Sequence, residues 1–132
     1  MSHASGTFDV KMTPQGADEK SDPSIARFLF DKQFHGDLDG SSKGQMLSSG
    51  NPSKGFGGYV AIEQVTGTLK GRTGSFALQH SGTLDNGATN LSVQVVPGSG
   101  AGQLAGLSGT LNIKITEGKH FYEFEYSLPD AH

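Results

Sequence analysis

Three two-residue turns, each ending in glycine, constrain this chain more than any other feature. They are Lys70-Gly71, Asn86-Gly87 and Glu117-Gly118, and each lies between runs that alternate apolar and polar residues. Asn-Gly is a strong type I′ hairpin signal, because that turn twists with the strands it joins. A turn of fixed length sets register, and register decides which side chains share a face. The first turn sets Leu69 across from Arg72, Val65 across from Phe76, Glu63 across from Leu78 and Ala61 across from His80. The second pairs His80 with Val93 and Leu78 with Val95, and puts Leu91 on the same side. The third pairs Ile115 with His120, Ile113 with Tyr122 and Leu111 with Phe124. Its other face carries Asn112, Lys114, Glu123 and Glu125, as a solvated face should.

Further period-two segments extend the pattern. Strands are predicted over 6–13, 58–69, 73–84, 89–97, 107–116 and 119–128. The run 27–47 keeps one parity throughout, from Phe28, Phe30, Lys32 and Phe34 to Leu38, Ser42 and Met46. It is either one long strand coiling at its glycines or two strands with a tight turn near Gly36 or Gly40. The one helical signal is "SDPSIARF", where Ser21 or Asp22 could cap a single turn with Pro23 at its first position. Polar loops are expected at 14–24 and 48–57, and a glycine-rich one at 98–103. No helix follows "GSGAG", which argues against a phosphate loop.

Many strands, short links and almost no helix predict an all-β fold. A single antiparallel sheet of seven or eight strands closes into a barrel, which removes its exposed edges. The 132 residues make one domain, with a core over about 6–128. Twenty glycines without a collagen period fit turn- and bulge-rich β structure.

Net charge is −3, with no basic run, which argues against nucleic-acid binding. The absence of Cys excludes disulfides, thiolate catalysis and Cys-ligated metals. "MSHASGTFDV" has no basic n-region or apolar h-region, and no apolar stretch approaches a membrane span. A cytoplasmic location without membrane partners is therefore expected.

Two residues break the inward pattern. Glu63 and His80 share a face with Val65, Phe76 and Leu78, as diagonal neighbours whose side chains can meet. A one-residue bulge in the first turn would instead turn Glu63 out and bring Val60 and Ile62 in; the even turn favours Glu63 inside. An interior carboxylate costs several kcal/mol unless paired. The pair therefore reads as a structural pair, as a ligand-holding pair, or as an acid–base pair with Glu63 and His80 as catalytic candidates.

Strand direction places Tyr59, His80, His120 and Tyr122 toward one mouth, with Glu63 below and Phe28, Phe30, Phe76 and Phe124 as the apolar wall. Lys32 breaks the Phe28–Phe34 face. It either snorkels to the rim, the favoured reading, or binds an inward anion or Glu63. Glu63, His80 and His120 have the residue types of a two-His, one-carboxylate set, but their spacing forms no motif. No metal and no cofactor are expected. His35 has the outward parity, and His3 and His132 are expected in solvent.

"KQFHGDLDGSSKGQML", "GYVAIEQVTGTLKGRTGSFALQHSGTL" and "LAGLSGTLNIKITEGKHFYEFEYSL" together resemble the bacterial domain-of-unknown-function family 3224. The resemblance runs over about residues 6–128. It implies an allene oxide cyclase-like barrel, related in shape to lipocalins, and carries no established activity. "GDLDGSSKGQML" and "GYVAIE" also echo strands of plant allene oxide cyclases, oligomeric barrels that cyclise a fatty-acid epoxide. Their catalytic carboxylate lies on the first strand. Here Asp9 has the parity opposite to Phe8, Val10 and Met12, and the activity is not carried over.

The function expected from these residues is binding of a small, partly apolar or carboxylate ligand in the barrel mouth. Two alternatives stand beside it. One is an isomerase- or cyclase-type enzyme with Glu63 as base; the other is a filled barrel working as a homo-oligomer, a dimer or trimer.

Overall fold

The structure, a computed structural model, describes residues 1–16 and 20–129. Its strands are β1 (Ser2–Gln15), β2 (Ala26–Gly36), β3 (Leu38–Asn51), β4 (Phe56–Leu69), β5 (Arg72–Asp85), β6 (Ala88–Val95), the two-residue β7 (Ala101–Gly102), β8 (Ser108–Thr116) and β9 (Lys119–Ser127). Pairing runs β1–β2–β3–β4–β5–β6–β8–β9 and returns to β1, so eight antiparallel strands close a barrel. β7 adds to β5 at Gly74 and Ser75.

The turns set the register as their lengths predict. Lys70, Asn86 and Glu117 take positive φ, and a glycine with positive φ follows each, as a type I′ turn demands. Leu69 pairs with Arg72, His80 with Val93 and Ile115 with His120. The facing of β4 is decided: Glu63 is 0% exposed, whereas Ile62 and Val60 are each 53% exposed on the outer wall. Asn112, Lys114, Glu123 and Glu125 are exposed as expected.

Residues 27–47 take the two-strand alternative: β2 ends at Gly36, whose φ of 104° lets the chain reverse into β3. Other segments differ from expectation. The expected loop 48–57 is mostly strand, with a 3₁₀ turn over Pro52–Lys54. At "SDPSIARF" no helix forms. Asp22 accepts from Ser24 N at 2.9 Å and its carbonyl accepts from Ile25 N at 3.1 Å, a local turn that satisfies these groups without one. Residues 17–19 of that loop, and His132, lie outside the described residues.

The barrel has two unlike ends. At the end carrying the 36–38 and 70–71 turns, inward apolar residues are buried, among them Ala4, Leu38, Leu69 and Tyr126. The segment 96–107 closes that end. Gln103 N donates to Thr73 O and Thr73 N donates to Gln103 Oε1, which seats Leu104 and Leu107 in the core. Phe76 stacks on Phe124 with ring centres 6.0 Å apart, and Phe34 meets Tyr122 edge-on at 5.8 Å.

At the other end, inward positions stay exposed: Met12 is 43%, Leu91 39% and Ile115 64% exposed. Their strand partners Phe30 and Gly82 are buried and His120 is half-buried. The exposure therefore marks an open end, not a reversed face. Leu91, expected with Val93 and Val95 in the core, lines this opening instead. The opening adjoins the β6–β8 seam, where Gln94 opposite Thr110 is the registered pair.

Candidate functional site

Glu63 gathers three side chains from three strands. Lys32 Nζ donates to Glu63 Oε1 at 2.9 Å, His80 Nε2 lies 2.7 Å from the same oxygen, and Ser42 Oγ donates to Oε2 at 2.5 Å. All four residues are buried. The register explains the meeting. Gly44 lies opposite both Phe30 and Glu63, and Ser42 lies opposite Lys32. These small β3 residues leave a gap through which the Lys32 stem crosses to β4. A methyl group at Gly44 would collide with the Phe30 ring, Ile62 O and Glu63 Cβ.

Burial pushes the Glu63 carboxyl up. The hydrogen bond from His80, the Lys32 charge and the Ser42 hydroxyl together outweigh it and hold the group below the ordinary glutamate range. Glu63 is therefore an ionised carboxylate with both oxygens engaged. Such a group accepts and orients; as a base toward a substrate it is already spent. The Lys32 ammonium is enclosed further by the rings of Phe8, Phe30 and Phe34, at 4.8, 5.4 and 5.8 Å from their centres. This corrects the rim reading of Lys32: its side chain turns inward onto Glu63.

Tyr59 stands half-buried above this floor. Its ring lies over Gly82, where a side chain would strike it, and 6.4 Å from the His80 ring. Burial and the Glu63 charge raise its phenol. Phe30 meets His80 edge-on at 6.5 Å, and Phe28 is half-buried nearer the opening. Half-buried His120 packs on Phe8 at 5.1 Å, so it belongs to the opposite wall.

Three expected site residues lie elsewhere. Tyr122 is not at the mouth. Its hydroxyl accepts from Leu38 N at 2.9 Å and sits 2.9 Å from His35 O, anchoring the turn at the closed end. Phe76 and Phe124 fill the lower core. Glu63, His80 and His120 do not converge, and among the described residues no three His, Cys, Asp or Glu groups could hold a metal ion. His35 points outward to Asp9 at 3.1 Å, and His3 is exposed. Ser42 is the polar partner that sequence reading left without a role. Its inward parity was visible, and it is the one hydroxyl between Gly40 and Gly44 on that face.

Among the described residues, no helix is long and apolar enough to cross a membrane. A search of curated proteins finds no match. The chain is similar to a crystal structure of a protein of unknown function from Shewanella oneidensis MR-1, assigned to the DUF3224 family. The identity is 48% over 99% of each chain, and the TM-score is 0.90. The family model described as "Protein of unknown function (DUF3224)" matches residues 4–126. An eight-stranded barrel of this register and that match agree: the chain belongs to the DUF3224 family, whose function is not known.

Proposed function

We propose that the open end of the barrel binds a small ligand with an apolar body, its polar end directed at the floor formed by His80, Glu63 and Lys32. The observation that carries this reading is the exposure of inward-facing Met12, Leu91 and Ile115 at one end only. Apolar side chains lining a concavity above a few convergent polar groups are the usual make-up of a small-molecule site. An eight-stranded barrel has an interior that is either just filled or able to take one small ligand. Phe34, Phe76, Phe124 and Tyr122 are buried in the lower half, whereas Met12, Leu91 and Ile115 at the upper end are exposed, which favours the second case. Tyr59, Phe28 and His120 complete the wall.

The test uses N-phenyl-1-naphthylamine, a neutral apolar fluorophore. It should bind at one site per chain, and Leu91→Asp or Ile115→Asp should weaken it at least tenfold. Ile62→Asp serves as the control, because Ile62 and Val60 line a shallow outer groove with Leu47 and Arg27. If Ile62→Asp abolishes binding while Leu91→Asp and Ile115→Asp leave it intact, the outer wall is the site and the reading fails.

A further inference from the structure

Resting on the mouth reading, we infer that the polar end of the ligand is a neutral hydroxyl, which donates a hydrogen bond to Nδ1 of His80. An ionised carboxylate only accepts hydrogen bonds. Glu63 is ionised and lies 2.7 Å from His80 Nε2, so the Nε2 position carries the proton. Lys32 already balances Glu63, so a neutral imidazole leaves the buried cluster without net charge, and its remaining nitrogen, Nδ1, then presents a lone pair.

That lone pair is available. Among the described residues, the hydrogen bond of the His80 ring is the one to Glu63. Among the described residues, no side-chain nitrogen or oxygen is both sealed from solvent and without a partner. Nδ1 is thus not sealed from solvent.

The charges around it select against ions. The groups facing His80 are Glu63 from β4, Lys32 from β2 and the neutral phenol of Tyr59, while its β6 neighbour Val93 is apolar. Lys32 and Glu63 cancel each other. Among the described residues facing His80, a carboxylate head would find no unengaged cation, since Lys32 is bound to Glu63 beneath three aromatic rings, and a cationic head would find no unengaged carboxylate. What remains is an acceptor in a neutral setting, which a hydroxyl donor satisfies at no cost in charge burial. Glu63 is here a positioning residue: it fixes the tautomer and orientation of His80 and does not touch the ligand.

The experiment compares octan-1-ol, octanoate and octyl methyl ether as competitors of N-phenyl-1-naphthylamine on the wild-type protein. Long-range ¹⁵N NMR of the imidazole is recorded alongside. Octan-1-ol should displace the probe at a concentration at least tenfold lower than the other two, and it alone should move the His80 Nδ1 resonance. Octanoate as the tightest competitor, or equal competition by all three, would overturn the hydroxyl assignment and leave the mouth reading standing. Failure of the probe itself to bind would overturn both. Because the ranking and the NMR signal use the wild-type chain, neither depends on a variant that must fold. A His80→Gln variant, which retains a donor for Glu63, should reduce the preference for octan-1-ol at least fivefold.

Discussion

His80 Nε2 lies 2.7 Å from Glu63 Oε1 although the two residues do not oppose each other on the β4–β5 ladder. Glu63 pairs with Leu78 and His80 with Ala61, so the contact is diagonal across one face. Small Ala61 and Gly44 leave room for it.

Removing the charge of Glu63 strands the ammonium of Lys32 in the core. Glu63→Gln should cost about 3–5 kcal/mol, as breaking a buried ion pair does. The double variant Glu63→Gln/Lys32→Met should regain much of that loss, since no uncompensated charge remains. Urea unfolding of the two single variants and the double one measures the coupling; simple additivity would contradict the ion pair.

Acid should weaken the fold through the same carboxyl. Its folded pKa is lowered, because the donors from His80, Lys32 and Ser42 outweigh burial. The stability it contributes is present above the unfolded value of about 4.3 and is lost as pH falls through the folded value. The gap in unfolding midpoint between wild type and Glu63→Gln should therefore shrink on acidification below about pH 4. A gap that widens in acid would contradict this assignment.

Tyr122→Phe removes the acceptor of Leu38 N, which is buried. A loss of about 1–3 kcal/mol is expected. Burial also raises the Tyr122 phenol. Its contribution is present below the unfolded value of about 10 and disappears as pH rises through the folded one. The variant should accordingly lose less stability than wild type in strong alkali, which circular dichroism melts can follow.

Gly44→Ala puts a methyl group against the Phe30 ring, Ile62 O and Glu63 Cβ. A cost of about 1–3 kcal/mol is expected from overpacking. The same change displaces Glu63, so the His80 imidazole resonances should shift as well. Unchanged resonances would mean that β3 yields without disturbing the cluster.

The facing of β4 and β5 gives a further contrast. Val60→Lys and Ile62→Lys lie on the outer wall and should change stability by less than about 0.5 kcal/mol. Leu78→Ala, wholly buried, should cost about 2–5 kcal/mol. Comparable losses at Ile62 and Leu78 would refute the register.

The barrel and the Glu63–His80 contact were readable because three turns of countable length govern β4–β5–β6 and β8–β9. Arithmetic ends where the turns do. The link at 36–38 is not a two-residue type, so the β2–β3 register, and with it the inward course of Lys32, could not be counted. Parity tells which face a residue takes but not its height. Tyr122 shares a face with His120, yet it descends to the closed end because β9 pairs with β1, Tyr122 lying across from Gly6. Leu91 likewise has the right parity and sits too near the strand start to be covered. The seating of Leu104 and Leu107 depends on 96–107 folding back onto β5, a long-range contact that no local pattern announces.

The plug formed by Leu104 and Leu107 seals one end of the barrel. On the proposed reading, traffic with the surroundings would have one door, and anything lodged against the floor would depart along its path of arrival.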